Sequence, residues 1–319
     1  MRQIILFMSV ILCLCCDAED KLEKNIAAIP MDVNVERFDR LFANADQTDF
    51  KELKKNYPFL FSKQYHDSVW VLRMQDSMQI ELHKEVAKIF PNFDKQTQEI
   101  TAFYQHLKYY YPTFKKGRLI TVIPGDVNYR NKVVVTDTIN LIALDTYLGV
   151  NHKFYENFYD YIKQNMTASQ ILPDLATEYA KKYSYQSKRK TFLDELVYFG
   201  KQLYFMDVML PNYSDADKIG YSPEQLQWAA ENEQYIWRHF VENEMLFDTN
   251  PKLIARFINP APFSKFNLEL DRDSPGRLGR YIGWQIVRAY MEKNNVSFKE
   301  LMQKEADDIF NNSNFKPKK

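Results

Sequence analysis

The sequence predicts an α+β fold, a single and mainly helical domain with a small central β-sheet. Glycine is scarce, at 8 of 319 residues, which disfavours a turn-rich all-β fold and favours long helices. Three short runs of β-branched residues interrupt the helical pattern near the middle of the chain, which indicates a small sheet. The 23 phenylalanines and 21 tyrosines supply many large side chains for one core, and no repeat or interior linker divides the chain.

The first sixteen residues have the anatomy of a bacterial lipoprotein signal. A positive residue, Arg2, precedes an apolar run that is well short of the roughly 20 residues needed to span a bilayer. All three cysteines follow this run, and polar sequence begins directly after Cys16. We therefore predict a lipoprotein signal peptide at 1–16 and acylation of Cys16, which anchors the protein to a lipid bilayer. The alternative is an ordinary secretory signal with incidental cysteines.

After the signal, the chain divides into a tether, one folded domain and a tail. Residues 17–32 are polar and lack periodicity, so we expect a flexible tether. The domain is predicted to span 33–312 and to begin with a helix in which Val35 and Phe38 share one face. The basic residues 313–319 are predicted to form a disordered tail.

Helical segments flank the three predicted strands. The strands fall within 118–125, 132–138 and 139–144, which are short runs of β-branched residues separated by turn-forming residues. Before them, 97–112 repeats apolar residues with helical spacing. After them, 189–210 has a broad apolar face, which predicts a helix at the centre of the domain.

A further helix is predicted near the C-terminus from its start signals. Ser274 is a suitable N-cap, and Pro275 fits the first turn, where a missing N–H costs nothing. Gly279 and Gly283 are four residues apart and share one face of this helix, so we expect another backbone to approach them closely.

Two arginines in the first turn of this helix suggest an anion. Arg277 and Arg280 lie beside free N–H groups at the positive end of the helix, where a phosphate or carboxylate is favoured. Internal pairing of these arginines with Asp271 or Asp273 is expected ahead of such a ligand, which is the alternative.

Composition and motifs exclude several classes of function. Because 42 basic residues balance 42 acidic ones, no global field attracts nucleic acid, and no such partner is expected. No two of the five histidines have the spacing of a zinc-binding HExxH helix, and no P-loop, GxSxG or dinucleotide-binding motif is present. We therefore expect no cofactor and no bound metal. Most carboxylates are expected to cap helices, form ion pairs or face solvent, with a ligand or catalytic role as the alternative for Asp145, Asp174, Glu178, Asp194, Glu195 and Asp207.

A series of ordered motifs covers nearly the whole chain. They include VERFDRLF, ALDTYLG, LVYFGKQLYFMDVMLP and SPGRLGRYIGWQIVRAYM. Together with the signal, they resemble the GldB family of gliding-motility lipoproteins of the Bacteroidetes. The resemblance implies an envelope lipoprotein of the gliding and type IX secretion machinery, with protein partners there and a non-catalytic structural or interaction role. We expect the anchored domain to face the periplasm rather than to be exposed at the cell surface.

The family is also similar to predicted zinc-dependent peptidases, which implies a zincin-like architecture. Those relatives share a GxxxGxxIVxxY pattern, found here from Gly279 to Tyr290, and carry HExxH, where this chain reads TEYAK. By this resemblance, Glu178 corresponds to the glutamate of HExxH, and Glu195 is a relic of a third zinc ligand. Lys181 stands where the motif has its second histidine, and a lysine cannot replace that imidazole as a zinc ligand. It therefore implies a pseudoenzyme whose degenerate cleft contains Glu178, Glu195, Arg277 and Arg280. The alternative is a divergent metal-dependent hydrolase, or a peptide- or glycan-binding module that uses this cleft.

Overall fold

The computed structural model describes residues 21–318, except for the side chains of residues 269 and 270. The predicted signal peptide, Cys16 and the first four residues of the predicted tether lie outside this range. The described chain is mainly helical with one small mixed sheet, which confirms the predicted α+β class.

The helices and strands follow one another along the chain with short connections. The strands are β1 Val35–Glu36, β2 Arg118–Val122, β3 Val133–Val135 and β4 Ile139–Ala143. The helices are α1 (21–27), α2 Phe38–Asn44, α3 Phe50–Asn56, α4 Asp67–Met74, α5 Ser77–Ile89, α6 Asp94–Tyr110, α7 Asp160–Lys163, α8 Ile171–Tyr183, α9 Phe192–Met209, α10 Asp215–Ile219, α11 Pro223–Glu231, α12 Glu233–Glu242, α13 Lys252–Phe257, α14 Leu278–Lys293, α15 Phe298–Gln303 and α16 Ala306–Ser313.

The sheet has the strand order β1-β2-β4-β3, with β1, β2 and β4 parallel and β3 antiparallel to β4. The three predicted strands are confirmed as β2, β3 and β4. The predicted first helix is too long, because Val35 and Glu36 pair with β2 instead and α2 begins at Phe38. A two-residue strand has no period to detect. It is held by Arg118, which donates two hydrogen bonds to the Glu36 carboxylate at 2.8 and 2.7 Å.

The sheet separates two hydrophobic cores, because successive side chains of a strand point to opposite faces. Leu119 and Ile142 belong to the larger core, together with α6, α8, α9 and α14. Ile120 and Val122 belong to a smaller core, whose other buried members are Phe38, Phe42, Phe50, Leu53, Tyr57, Phe61 and Ala143.

Helices α9 and α14 pack closely at the centre of the larger core. A Cβ placed on Gly283 would lie 1.8 Å from the carbonyl oxygen of Leu196 in α9. A Cβ placed on Gly279 would lie 2.8 Å from the carbonyl oxygen of Phe257 in α13. The predicted close approach of other backbones to these two glycines is therefore confirmed, as is the central position of α9.

The first described residues are folded onto α6. Ile26 of α1 is only 1% exposed. The side-chain amide of Gln105 in α6 donates to the carbonyls of Ala27 and Ile29 at 2.9 and 2.8 Å. The expectation of a flexible tether is therefore wrong from residue 21 onwards, because contacts with a distant helix stabilise a segment too short to show periodicity.

The C-terminal segment is also folded onto the domain. The ring of Phe315 packs edge-on against Trp237, with centroids 5.2 Å apart. The backbone N–H of Lys318 donates to the Glu233 carboxylate at 3.0 Å. The expectation of a disordered tail is therefore wrong as far as residue 318, since its one aromatic side chain anchors it.

Candidate anion-binding cleft

A cleft of two adjoining chambers lies beside the start of α14, and we call it the arginine cleft. The outer chamber has a volume of about 340 Å³ and the inner one about 120 Å³. Walls come from the β2–β3 loop, α7 and α8 on the outer side, and from α8, α9 and α10 on the inner side. Five residues line both chambers: Asn165, Asp174, Thr177, Arg277 and Arg280.

The local backbone before α14 places the two arginines in the cleft. The predicted helix start at Ser274 is wrong, because α14 begins at Leu278 and Arg277 precedes it with a left-handed φ of 64°. Gly276 allows this entry, since a Cβ there would lie 2.2 Å from the carbonyl oxygen of Ala261. With this backbone conformation, Arg277 lies at the start of α14 and lines both chambers of the cleft.

Arg277 is held by a backbone carbonyl and an aromatic ring. Its Nη2 atom donates to the carbonyl oxygen of Gly220 at 2.8 Å. Its guanidinium carbon lies 5.3 Å from the centroid of the Tyr221 ring, within the range of a cation–π contact. These contacts orient the side chain and leave its positive charge without a neutralising group.

Arg280 is held in the same manner by different residues. Its Nε atom donates to the carbonyl oxygen of Ile258 at 2.7 Å. Its guanidinium carbon lies 4.2 Å from the centroid of the Phe199 ring in α9. A guanidinium has five N–H donors, so each arginine has donors left for a ligand.

Neither arginine forms an ion pair with a carboxylate among the side chains that the structure describes. The expectation that they pair with Asp271 or Asp273 is wrong. The Asp271 carboxylate instead accepts backbone N–H groups of residues 266–268, at 2.9 to 3.2 Å.

Burial together with like charge makes this pair of cations unfavourable without an anion. Burial first, and the neighbouring Arg277 second, lower the pKa of Arg280 to about 9. Burial also lowers the pKa of Arg277, against smaller opposing effects of Tyr221 and Asp174. Both groups keep their charge at neutral pH, so the arginine cleft concentrates positive charge in a partly desolvated place.

The carboxylates of the cleft already have cationic partners. Asp174 forms an ion pair with Lys132 and accepts a hydrogen bond from the Tyr147 hydroxyl at 2.9 Å. Glu178, which lines the outer chamber, forms an ion pair with Lys181 one turn further along α8. Lysines therefore balance the acidic groups, whereas the two arginines are left unbalanced.

Glu195 does not line the cleft. Its carboxylate accepts two hydrogen bonds from Arg189, at 2.9 and 2.6 Å. It acts on Arg280 only at longer range. The structure therefore brings together Glu178, Arg277 and Arg280 of the four candidate residues and leaves Glu195 in a separate ion pair.

The other candidate carboxylates mostly have the expected structural roles. Asp194 completes a capping box with Thr191 at the start of α9. Asp207 pairs with Arg288 at 2.8 Å. Asp145 differs, because it is fully buried and burial raises its pKa to about 6.

Sequence reasoning missed Gln202, which lines the inner chamber. The side chain is 3% exposed, and its amide nitrogen Nε2 has no hydrogen-bond partner among the described residues. A glutamine within the apolar central helix was the available signal, since a buried amide needs a partner.

Among the described side chains, no group of three or more His, Cys, Asp or Glu is placed to hold a metal ion. Glu178 and Glu195, the two glutamates expected as relics of a zinc site, belong to separate ion pairs instead. The described residues thus supply cationic donors rather than a set of metal ligands.

The fold and the cleft define a single-domain α+β protein with a cationic binding cleft, and none of its described helices is long and apolar enough to cross a membrane. The chain belongs to the gliding motility protein GldB family, whose profile matches residues 19–317. Comparison with curated proteins and with solved structures gave no match. Membership indicates a gliding-motility lipoprotein of the cell envelope. The zincin-like similarity stays a prediction.

Proposed function

We propose that this chain is a lipid-anchored, non-catalytic component of the gliding-motility and type IX secretion machinery that binds an anionic ligand in the arginine cleft. One observation carries the proposal: Arg277 and Arg280 line both chambers of the cleft, and neither has a carboxylate partner among the described residues. Family membership supports the role in motility. Acylated Cys16 holds the protein at an envelope membrane, with the domain facing the periplasm.

The chemistry of the cleft favours binding over catalysis. A general acid or base must be able to exchange its proton with a substrate, but Asp174 and Glu178 are both engaged by lysines. The arginines, in contrast, remain protonated and present donors that suit a carboxylate or a phosphate.

Replacement of both cleft arginines tests the proposal in the living cell. We expect Arg277→Gln with Arg280→Gln, introduced at the native locus, to abolish colony spreading while immunoblots show normal abundance. Arg256→Gln is a matched control, because Arg256 also donates to one backbone carbonyl, that of Lys265 at 2.7 Å, but lies outside the cleft. Normal spreading of the double variant would refute an anion-binding role.

Two further substitutions test the anchor and the enzymatic alternative. Cys16→Ser is expected to move the protein from the membrane fraction to the soluble fraction and to stop gliding. Glu178→Gln is expected to leave gliding intact. If Glu178→Gln stops gliding while abundance and thermal stability are unchanged, the hydrolase alternative replaces the non-catalytic role.

A further inference from the structure

We propose that the arginine cleft recognises the free carboxylate at the end of a peptide whose last side chain is small and apolar. This inference rests on the anion-binding function proposed above and specifies its ligand. Three observations carry it: an unpartnered buried amide, the apolar wall of the inner chamber, and the shape of the outer chamber.

The buried amide is that of Gln202. Gln202 lines the inner chamber, its side chain is 3% exposed, and its buried Nε2 atom has no hydrogen-bond partner among the described residues. A buried donor that is left unpaired lowers the stability of the fold. A ligand oxygen that enters the chamber removes this cost, so the vacant donor favours a ligand with an acceptor at this depth.

The inner chamber combines these donors with an apolar wall. Arg277, Arg280 and Gln202 supply N–H groups. Apolar side chains also line the chamber, beside polar ones such as Gln170 and Thr177: Pro173, Phe199, Leu203, Met206 and Ile219. A carboxylate with a small alkyl group on its α-carbon satisfies both parts, and about 120 Å³ leaves no room for a large side chain.

A phosphate fits this chamber less well than a carboxylate. Lys218 is the other cation of the lining, and it is engaged by Asp207 at 3.1 Å, so it adds no free positive charge for a dianion. A phosphate also leaves the apolar wall without a contact. The planar guanidinium matches the two oxygens of a carboxylate, which the chamber accommodates together with an alkyl group.

The outer chamber has the character expected for the preceding residues of a peptide. It adjoins the inner chamber at the two arginines and has a volume of about 340 Å³. Apolar and aromatic side chains line it alongside Arg130 and Lys132: Tyr129, Tyr161, Ile162, Met166 and Pro260. The carboxylate therefore enters first, and the chain leads outwards between the tyrosines.

Fluorescence anisotropy of the detergent-solubilised, full-length lipoprotein tests this ligand. The probe is Gly-Gly-Ala-Ala with fluorescein on its N-terminus and a free C-terminal carboxylate. We expect amidation of that carboxylate to weaken binding at least about tenfold, because charge-assisted hydrogen bonds are lost. Arg277→Gln with Arg280→Gln is expected to have the same effect, and Arg256→Gln none.

Gln202→Leu separates a role in binding from a role in folding. The substitution removes the unpaired donor and keeps the approximate shape of the side chain, so thermal stability is expected to stay the same or rise. Affinity for the peptide is expected to fall several-fold. A variant that loses stability and keeps its affinity would show that Gln202 serves the fold alone.

Three results would overturn the ligand assignment: no binding of the free-carboxylate peptide, equal binding of the amidated peptide, or displacement of the peptide by an equal concentration of inorganic phosphate. Peptides that end in L- or D-alanine distinguish a protein C-terminus from a cell-wall stem peptide as the source. If peptide binding fails but the double arginine variant still stops gliding, the anion-binding function stands with another ligand. If the peptide binds and that variant glides normally, the proposed function is refuted.

Discussion

Gly200 of α9 lies directly against Gly283 of α14, and a Cβ placed on Gly200 would come 2.3 Å from the Gly283 carbonyl oxygen. Gly283 has still less room, because its own Cβ would lie 1.8 Å from the Leu196 carbonyl oxygen. These neighbours are backbone atoms, which cannot rotate away as a side chain can. The glycine pair therefore sets the spacing of the two helices that carry Gln202 and Arg280 into the arginine cleft.

Gly283→Ala is expected to lower the free energy of unfolding by about 3 kcal/mol, since the helices must separate to admit a methyl group. Urea denaturation of the purified protein measures this loss. Gly149→Ala is the control, because Gly149 has a φ of 107° but open space around it. Backbone strain alone costs about 1 kcal/mol there, so an equal or larger loss for Gly149→Ala would contradict the packing argument.

Asp145 is expected to make the protein less stable as the pH rises from 3.8 to 6. Burial raises the pKa of its carboxyl group to about 6, from an ordinary value near 3.8 in the unfolded chain. The folded state therefore binds the proton more tightly. This stabilisation is complete below pH 3.8 and is lost as the pH rises through 6, by about 2–3 kcal/mol.

Asp145→Asn isolates this effect. Between pH 3.8 and pH 7, the free energy of unfolding of the variant is expected to rise by about 2–3 kcal/mol relative to that of the wild type. A pH-independent difference in stability between the two proteins does not affect this change. Chemical denaturation at a series of pH values gives both curves. Parallel curves would show that Asp145 titrates normally.

His83 is expected to have the opposite effect in the acid range. Burial lowers the pKa of its imidazole to about 4. As the pH falls below about 6.5, the unfolded chain therefore becomes protonated at this histidine while the folded chain does not. Stability is therefore complete above pH 6.5, falls as the pH drops, and has lost this contribution below pH 4. His83→Gln is expected to reduce the acid sensitivity in this window. His66→Gln, at an exposed site, is the control, and an equal effect of both substitutions would contradict the assignment to His83.

Asp207 is expected to contribute more to stability than an exposed carboxylate in an ion pair. Its two oxygens accept hydrogen bonds from Arg288 and Trp284 at 2.8 Å, and Lys218 lies 3.1 Å away. Asp207→Asn leaves Asp215 as the remaining carboxylate beside Arg288 and Lys218 and removes charge-assisted hydrogen bonds, so it is expected to cost about 2 kcal/mol.

Asp160→Asn is the matched comparison, because Asp160 pairs with Lys163 at 2.9 Å but is 98% exposed. Loss of this exposed ion pair is expected to lower the free energy of unfolding by less than about 0.5 kcal/mol. Thermal and urea unfolding of both variants compare the two pairs, and similar losses would show that burial of the Asp207 network adds nothing.

Prediction from sequence succeeded where one segment carries its own periodic signal. The helix α6, the central helix α9 and the strands β2 to β4 were all predicted, because each buries a regular pattern of apolar residues. Prediction failed at β1, α1 and the C-terminal segment, which are short and depend on partners far away in the chain. The start of α14 was also missed, because close backbone contact at Gly276 and the left-handed Arg277 outweigh the capping preference of Ser274.

The candidate site was predicted in part for the same reason. Arg277 and Arg280 share one helix start, so local sequence placed them together. Glu195 was grouped with them through the resemblance, and its position in an ion pair with Arg189 depends on how α9 and the preceding loop pack. Gln202 became a site residue only through the unfilled chamber beside it.

The sequence by itself determined the fold class, the glycine contact of α14 and the motifs that belong to the GldB family. Each of these depends on the spacing of nearby residues or on the order of motifs along the chain. Only the tertiary structure decided which charges are balanced. Lys132 from another segment neutralises Asp174 and Lys181 of the same helix neutralises Glu178, whereas Arg277 and Arg280 meet backbone carbonyls and aromatic rings. Whether Asp174 meets Lys132, and which groups surround the two arginines, depends on distances between residues far apart in the chain, and only folding sets those distances.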